Sequence, residues 1–179
     1  SPGSRRGHSP RLHRPEPRLL RYAARVGYMG THYSGWQRQA MGTGVQEKIE
    51  ESLAALEGKP VTVTAAGRTD AGVHACGQMI SFELEKQWRP DKLVLAANFR
   101  LPPDIAVLET ARVLPGFDAR RHALWREYRF FIWHGNALPP FLHGRVWWNR
   151  FQWDFEKVRR ACALFEGDHD FRAFCKTAE

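Results

Sequence analysis

The order of strand-like and helix-like segments is the feature that most restricts the fold of this chain. Apolar residues recur with helical spacing in three segments, which begin near Thr43, at Pro90 and near Asp154. Six other short segments predict strands: 19–28, 61–66, 78–85, 104–113, 126–134 and 145–148. The resulting order is β-α-β-β-α-β-β-β-α. Because several strands follow one another directly, we expect an α+β fold with helices on one face of a sheet.

Local signals set the expected ends of the helices. Thr43 and Gln46 have the spacing of a capping box and predict the start of the first helix, while Gly58 predicts its end. The last helix is expected to end at Gly167. The apolar faces of the first and last helices consist of two sets of residues: Val45, Ile49, Leu53 and Leu56, and Phe155, Val158, Cys162 and Phe165.

The excess of positive charge indicates a polyanionic partner. Among 179 residues, 27 are Lys or Arg and 19 are Asp or Glu, which gives a net charge of +8 and an isoelectric point near 9.9. This balance favours nucleic acid or an anionic membrane surface. No apolar run approaches the roughly 18 residues of a membrane-spanning helix, and no secretory signal is recognisable near the start. We therefore expect no membrane partner.

The cysteine pattern indicates neither a zinc site nor a disulfide framework. Cys76, Cys162 and Cys175 are odd in number, far apart and not arranged as a CxxC pair. A reducing compartment fits this pattern, so we expect a cytoplasmic protein. Side chains of the consecutive residues 168–170 (Asp-His-Asp) cannot easily all face one ion, so a structural turn is favoured over a metal site there. The sequence contains no cofactor motif, and we expect neither a cofactor nor a metal.

Residues 1–18 have the composition of a basic tail. They contain five Arg, four Pro and a single acid, Glu16, with almost nothing apolar to bury. This composition predicts disorder and suits either an electrostatic anchor for phosphates or a solvated leader without a role. The Arg-rich, acid-poor character also resembles an organelle transit peptide, although the prolines disfavour the amphipathic helix of such a peptide.

The loop 67–75, with the sequence GRTDAGVHA, is the strongest candidate for chemistry. Glycine residues flank a short polar segment between two predicted strands, and they permit positive φ or close approach of a ligand. Arg68 lies two residues from Asp70 and favours the ionised carboxylate. Such a carboxylate can act as a nucleophile or a general base. The alternative is a charged turn in which Asp70 caps its own backbone.

Six segments in the same order resemble the TruA family of tRNA pseudouridine synthases. The loop GRTDAGVHA is similar to the catalytic loop of that family. The other five segments are YMGTHYSGWQ (28–37), GVQ (44–46), NFRLPPDI (98–105), FDAR with REYRF (117–120 and 126–130), and GDHDF with Phe174 (167–171). The resemblance extends from about Leu19 to the end of the chain. It implies a mostly antiparallel mixed sheet with flanking helices, of the pseudouridine synthase type.

The resemblance also implies an activity and three site residues. The family breaks the glycosidic C–N bond of a uridine in RNA, turns the uracil and joins C5 to the ribose. By matching position, Asp70 is the catalytic carboxylate, Arg68 fills the space left by the flipped nucleotide, and Tyr128 packs against the uracil ring. Attack of Asp70 on the base, attack on the sugar and abstraction of a sugar proton all remain open. From the residues alone, Arg68 is an ion-pair partner of Asp70 and Tyr128 a core aromatic of a strand.

The resemblance implies tRNA as the substrate and a homodimer as the assembly. The family acts on the anticodon stem-loop at tRNA positions 38, 39 and 40. A basic run interleaved with aromatic residues suits RNA binding, because cations contact phosphates and rings contact bases. Its members are Arg120, Arg121, Arg126 and Arg129, with Trp125 and Tyr128.

Members of the TruA family continue for very roughly another half-length, so we expect residues 19–179 to be a catalytic domain truncated at its C-terminus. A truncated or inactive relative that only binds tRNA is therefore the alternative function. A nuclease or glycosidase is a third hypothesis, but hydrolysis of a glycosidic bond usually needs a second, paired carboxylate.

Overall fold

The computed structural model describes residues 19–37 and 42–175, and the expectation for the basic tail 1–18 lies outside them. The described chain forms two compact units, divided between Glu127 and Tyr128. The first unit contains β1 (Leu20–Tyr28), α1 (Val45–Glu57), β2 (Thr64–Ala65), β3 (Ala75–Leu84), α2 (Pro90–Asn98) and β4 (Ile105–Arg112). The second contains β5 (Ile132–His134), β6 (Trp147–Asn149) and α3 (Phe155–Ala163). The predicted α+β class and the order of elements are confirmed.

The first unit is built on a four-stranded antiparallel sheet with the order β2-β3-β1-β4. The central strand β1 pairs along its length with β3 on one side and with β4 on the other. Alternate side chains of β1 are therefore directed to opposite faces of the sheet. Tyr22, Val26 and Tyr28 lie on the face that carries the apolar core.

Helices α1 and α2 contribute the other half of this core. Ile49 and Leu53 of α1 and Leu93 of α2 are almost completely buried and belong to the same cluster as the apolar face of the sheet. Tyr22 stacks on Phe82, which lies opposite it on β3, with 6.1 Å between ring centroids. Burial of each such side chain stabilises the fold by roughly 1.5–3 kcal/mol. The sheet therefore gives the loop between β2 and β3 a rigid base.

The segment that follows β4 packs on the opposite face of the sheet. Arg21 Nε donates to the carbonyl oxygen of Phe117 at 2.7 Å, and Arg21 Nη2 donates to Ser81 Oγ at 3.2 Å. The backbone amide of Ala119 also donates to Ser81 Oγ, at 3.1 Å. Because Ser81 and Ala119 are both buried, the turn that begins at Phe117 is fixed to the sheet.

Two local predictions for the first unit need correction: the capping box at the start of α1 is wrong, and the predicted strand 61–66 is too long, since only Thr64–Ala65 forms β2. The residue that caps α1 is Gly44, and no side chain caps the helix, so the capping box of Thr43 and Gln46 is absent. Gln46 Nε2 instead donates to Glu50 Oε1 and to the carbonyl oxygen of Val63, while the Val63 amide donates to Glu50 Oε1 at 2.9 Å. Side chains of α1 thus bind the amide and carbonyl groups of Val63. A longer β2 would have used these groups to pair with a neighbouring strand.

The second unit contains a two-stranded parallel sheet of β5 and β6, in which Trp133 is paired with Trp148. The predicted strand 126–134 is reduced to its last three residues, because residues 126–131 have no strand partner in the described chain. Asp154 caps α3 by accepting a hydrogen bond from the Lys157 amide at 3.0 Å. The helix ends at Ala163, before the expected Gly167. No helix in the described ranges is long and apolar enough to cross a membrane.

Candidate active site

The candidate catalytic loop connects β2 to β3 and presents Asp70 at the surface. A tight turn forms its tip, in which the Val73 amide donates to the carbonyl oxygen of Asp70 at 3.2 Å and Gly72 has a φ of +79°. Arg68 and Asp70 are both exposed. The turn therefore displays the carboxylate on the outside of a loop whose two ends are anchored in the sheet.

The segment between β1 and α1 holds the loop from one side. The Trp36 amide donates to the carbonyl oxygen of Thr69 at 2.9 Å, and the Gly72 amide donates to that of Tyr33 at 3.3 Å. The hydroxyl groups of Tyr28 and Thr69 form a further hydrogen bond of 2.9 Å. Tyr28 is only 4% exposed. A residue adjacent to Asp70 is thus fixed through both its backbone and its side chain.

Two glycines allow the supporting segment to approach the loop this closely. A Cβ atom on Gly30 would lie 2.0 Å from the carbonyl oxygen of Val73, a distance that no side chain can occupy. Gly35 has a φ of +104°, and a Cβ there would lie 2.8 Å from the carbonyl oxygen of Thr69. The backbone contacts on both sides of Asp70 therefore require glycine at these two positions.

His74 contacts this glycine-containing segment as well. Its Nδ1 accepts a hydrogen bond from the Gly30 amide at 2.9 Å, so Nδ1 carries no proton in this arrangement. The bond fixes the C-terminal part of the loop to the end of β1. Within the described residues, no cluster of three or more His, Cys, Asp or Glu side chains is suited to hold a metal ion.

Arg126 fixes the start of the loop, a role that the sequence did not reveal. Its guanidinium donates from Nε to the carbonyl oxygen of Ala66 at 2.8 Å and also from Nη2 to the same oxygen. Nη2 lies 3.4 Å from the carbonyl oxygen of Arg120. Gln78 Nε2 donates to the next carbonyl oxygen of the loop, that of Gly67. The composition of the basic run predicted phosphate contacts for Arg126, and no local pattern distinguishes an arginine directed at a backbone oxygen.

Asp104 holds the segment between β1 and α1 that supports the loop. Tyr33 donates from its hydroxyl to Asp104 Oδ1 at 2.6 Å, and the Met29 amide donates to the carbonyl oxygen of Asp104 at 2.8 Å. Burial, together with the hydrogen bond to Asp104 and its charge, raises the pKa of Tyr33 well above its usual value. Tyr33 therefore remains a neutral donor, and the segment that supports the loop is tied to the start of β4.

The carboxylate of Asp70 and the guanidinium of Arg68 are both available to a ligand. Among the residues that the structure describes, neither group has a hydrogen-bond or ion-pair partner, and the two do not pair with each other. The structure therefore does not contain the ion pair that is the simple alternative for Arg68. It also does not contain the side-chain cap that is the simple alternative for Asp70.

A second turn of the first unit, residues 117–122, carries two exposed arginines. Asp118 Oδ1 accepts hydrogen bonds from the amides of Arg120 and Arg121 at 2.8 and 2.9 Å. The hydrogen bond from the Arg121 amide is the main cause that lowers the pKa of Asp118. The ring of Phe117 stacks on that of His122 at 5.5 Å. The two arginine side chains are exposed, as phosphate contacts require.

Tyr128 lies at the start of the second unit. The side chain is 70% exposed and is not part of a strand, so the expectation of a strand core residue was wrong. The reason is the missing strand partner of residues 126–131. The arrangement of Tyr128 with respect to Asp70 and Arg68 stays a prediction.

The chain is similar to tRNA pseudouridine synthases over most of its length. A family model described as tRNA pseudouridine synthase matches residues 24–119. The tRNA pseudouridine synthase A of Methylobacterium nodulans is 43% identical over 157 residues, which are 87% of this chain and 62% of that protein. The proteins of the same name from Gloeobacter violaceus and Neisseria gonorrhoeae are 44% and 40% identical over 86% of this chain and over 51% and 58% of their own lengths.

The chain thus spans about half to six-tenths of the length of these relatives. The matched region contains the candidate catalytic loop together with Tyr28, Gly30, Gly35 and Asp104, which support it. Because the family model covers more than half of the residues and includes this loop, the chain belongs to the tRNA pseudouridine synthase family.

Proposed function

We propose that the protein isomerises uridine to pseudouridine in tRNA, with Asp70 as the essential carboxylate. The observation that carries this proposal is that the carboxylate of Asp70 is exposed and has no partner among the described residues while its loop is held in place. Backbone groups of Tyr33, Trp36 and Gly30 hold this loop. A rigid loop with an uncommitted acid at its tip is what a positioned nucleophile or base requires.

The reaction needs one carboxylate close to the ribose and the base. The glycosidic C–N bond is broken, the uracil turns, and C5 is joined to the ribose while the hydrogen on C5 leaves. Asp70 can attack the base, attack the sugar or remove a sugar proton, and each route requires an ionised carboxylate in a site closed to bulk water. The bound RNA would supply this closure, because the carboxylate is exposed in the free protein.

Arg68 and Tyr128 are proposed to hold the substrate nucleotide. The target base must leave its stack to reach Asp70, which costs a few kcal/mol. The guanidinium of Arg68, which has no partner among the described residues, would fill the vacated space. The ring of Tyr128 would stack on the uracil, worth roughly 1–3 kcal/mol. The exposed side chains of Arg120 and Arg121 would contact phosphates.

The finer assignment follows the family resemblance. We propose the anticodon stem-loop, at tRNA positions 38, 39 and 40, as the target, read by shape and phosphates rather than by base sequence. We also propose a homodimer, in which a second basic surface holds the body of the tRNA. The three cysteines are exposed thiols without a disulfide, which supports a reducing compartment such as the cytoplasm.

The test measures release of tritium from tRNA that carries 5-tritiated uridine, since the C5 hydrogen leaves only when C5 is joined to carbon. We expect release with the unaltered chain and its complete loss with Asp70→Asn. The matched control is Asp91→Asn, which removes an exposed carboxylate paired with Arg89 on α2 and should leave the rate unchanged. Full activity of Asp70→Asn would refute the assignment.

The alternative function is a module that binds tRNA without altering it, through exposed arginines such as Arg120 and Arg121. Salt-sensitive binding of tRNA without tritium release would support this alternative.

A further inference from the structure

The first half of the second unit has an unusual combination of charge and aromatic content. Residues 128–153 contain three arginines and two histidines but neither Asp nor Glu. The same segment contains nine aromatic residues: Tyr128, Phe130, Phe131, Trp133, Phe141, Trp147, Trp148, Phe151 and Trp153. Cations and aromatic rings without acids are the composition of surfaces that bind single-stranded nucleic acid.

A cavity of about 570 Å³ lies within this segment. It is lined by Asn136, Leu138, His143, Val146 and Trp148 together with neighbouring small residues. The volume falls within the range of about 300–1,000 Å³ that is typical of small-ligand sites. The walls are mainly apolar, and Asn136 and His143 supply polar groups. Both of these residues are exposed, so the cavity reaches the surface.

Trp148 of β6 lines the cavity, and Trp133 of β5 holds the segment that lines it as well. Trp148 Nε1 donates to the carbonyl oxygen of Gly135 at 2.9 Å, and Trp133 Nε1 donates to that of Ala137 at 2.8 Å. Both bonds tie an indole ring to the segment that follows β5, which also lines the cavity. A ring held in this way loses little conformational entropy when a ligand stacks on it.

Arg150 adds a cation beside the same ring. Its Cζ lies 4.0 Å from the centroid of the Trp148 ring, a cation–π contact. Arg150 does not line the cavity, whereas Trp148 does. The indole therefore has a guanidinium over one face and still contributes to the cavity wall. Arg145 follows directly after the lining residues His143 and Gly144 and is exposed.

We propose that this cavity binds an unstacked nucleobase of RNA, with Trp148 as the stacking surface and Arg145 and Arg150 near the adjoining phosphates. Because residues 128–153 contain no acids, they do not repel a polyanion, and they offer no negative charge that would bind a basic peptide as the ligand. The choice of RNA as the polymer rests on the proposed function. Every residue that lines the cavity belongs to the second unit, whereas the loop of Asp70 belongs to the first.

The location is tested by photo-crosslinking of the full chain to hexauridylate that contains 4-thiouridine. We expect the crosslink in the tryptic peptides 130–145 or 146–150, which contain His143 and Trp148. Crosslinks confined to other peptides would overturn the proposal. An absence of crosslinks would do the same.

The affinity is tested with fluorescein-labelled hexauridylate by fluorescence anisotropy. Trp148→Ala should weaken binding about 5- to 150-fold, the equivalent of a stacking contribution of about 1–3 kcal/mol. Arg150→Gln breaks no hydrogen bond among the described residues and should weaken binding about two- to fivefold, the size expected for loss of one exposed contact with a phosphate. The matched control is Arg159→Gln, which removes the same charge from α3, where Arg159 pairs with Glu156. Equal affinities of the Arg150 and Arg159 variants would overturn the proposal.

The same preparation also separates this proposal from the proposed function. A crosslink in peptides 130–150 without tritium release supports the cavity and refutes isomerisation by this chain. Tritium release without that crosslink supports isomerisation and refutes the cavity.

Discussion

The hydrogen bond between Tyr28 and Thr69 provides a direct test of how the loop is held. Thr69→Val removes the hydroxyl and nearly preserves the shape of the side chain, while the backbone bond from the Trp36 amide to Thr69 remains. The bond is 2.9 Å long, and its partner Tyr28 is 4% exposed. A neutral hydrogen bond of this kind contributes about 0.5–1.5 kcal/mol. We therefore expect Thr69→Val to lower the free energy of unfolding by about 1 kcal/mol.

A double-mutant cycle isolates the bond from other effects of the substitutions. Tyr28→Phe, Thr69→Val and the double variant are unfolded in urea, with far-UV circular dichroism as the readout. The coupling free energy should be about 0.5–1.5 kcal/mol, because the two hydroxyls contact each other directly. Thr69→Ser is the control, since it retains the hydroxyl and should retain the coupling to Tyr28.

The activity of Thr69→Val should fall by more than its loss of stability explains. Because Thr69 precedes Asp70, loss of its side-chain bond lets the carboxylate move, and small misplacements reduce rates strongly. We expect Thr69→Val to lower kcat in the tritium assay at least tenfold at a temperature where it remains folded. Strictly additive free energies in the cycle, combined with an unchanged kcat, would refute the idea that this contact positions Asp70.

Three other substitutions test the remaining supports. Gly30→Ala should abolish tritium release and lower the thermal midpoint, because its Cβ would lie 2.0 Å from the carbonyl oxygen of Val73. Arg126→Gln should lower kcat more than it raises KM, since its guanidinium holds Ala66 at the start of the loop; a change in KM alone would indicate a phosphate contact instead. The pKa of Asp118 is lowered in the folded chain. Its charge therefore stabilises the fold at pH values above the pKa of an aspartate in the unfolded chain, about 3.9. This stabilisation is lost as the pH falls through the pKa of Asp118 in the folded chain. Urea titrations should therefore show Asp118→Asn to be less stable near neutral pH, with the difference shrinking below about pH 4.

Periodicity predicted the elements of the first unit well because burial and local pattern agree there. Val45, Ile49 and Leu53 recur with helical spacing, and all three are buried against the sheet. The capping box of Thr43 and Gln46 failed for a tertiary reason. Gln46 instead bonds to Glu50, one turn further along the helix, and to the carbonyl oxygen of Val63, 17 residues away. The contact with Val63 has no signature in the adjacent residues.

The second unit shows where pattern alone is insufficient. Tyr128, Phe130 and Ile132 recur at every second position as on one face of a strand, yet Tyr128 and Phe130 are exposed and unpaired with any described strand. Alternation of side chains indicates which residues would share a face if a strand formed. A strand also needs a neighbouring strand that satisfies the hydrogen bonds of its backbone. In contrast, the parallel pair of β5 and β6 forms where Trp133 and Trp148 lie side by side.

The candidate site was predictable from the sequence in its exposed parts and not in its supports. Arg68 and Asp70 are polar, lie between glycines and are recognisable as a loop. The bonds that hold this loop and its support join residues about 40 to 70 positions apart: Tyr28 with Thr69, Gly30 with His74 and Tyr33 with Asp104. Long-range contacts of this kind follow from the register of the sheet, which no local rule supplies.

The segments that resemble the family are, in the first unit, the segments that meet around the loop. Residues 28–37 contact the loop through Tyr28, Gly30 and Trp36, residues 98–105 contact residues 28–37 through Asp104, and Arg126 binds the start of the loop. The resemblance therefore describes a scaffold around one acid rather than a set of reacting groups. A chain that retained Asp70 but lost Asp104 would keep its carboxylate and lose the support beneath it. Under the proposed function, activity should thus depend on Tyr28, Tyr33 and Asp104 as well as on Asp70, because small displacements of a positioned carboxylate reduce the rate strongly.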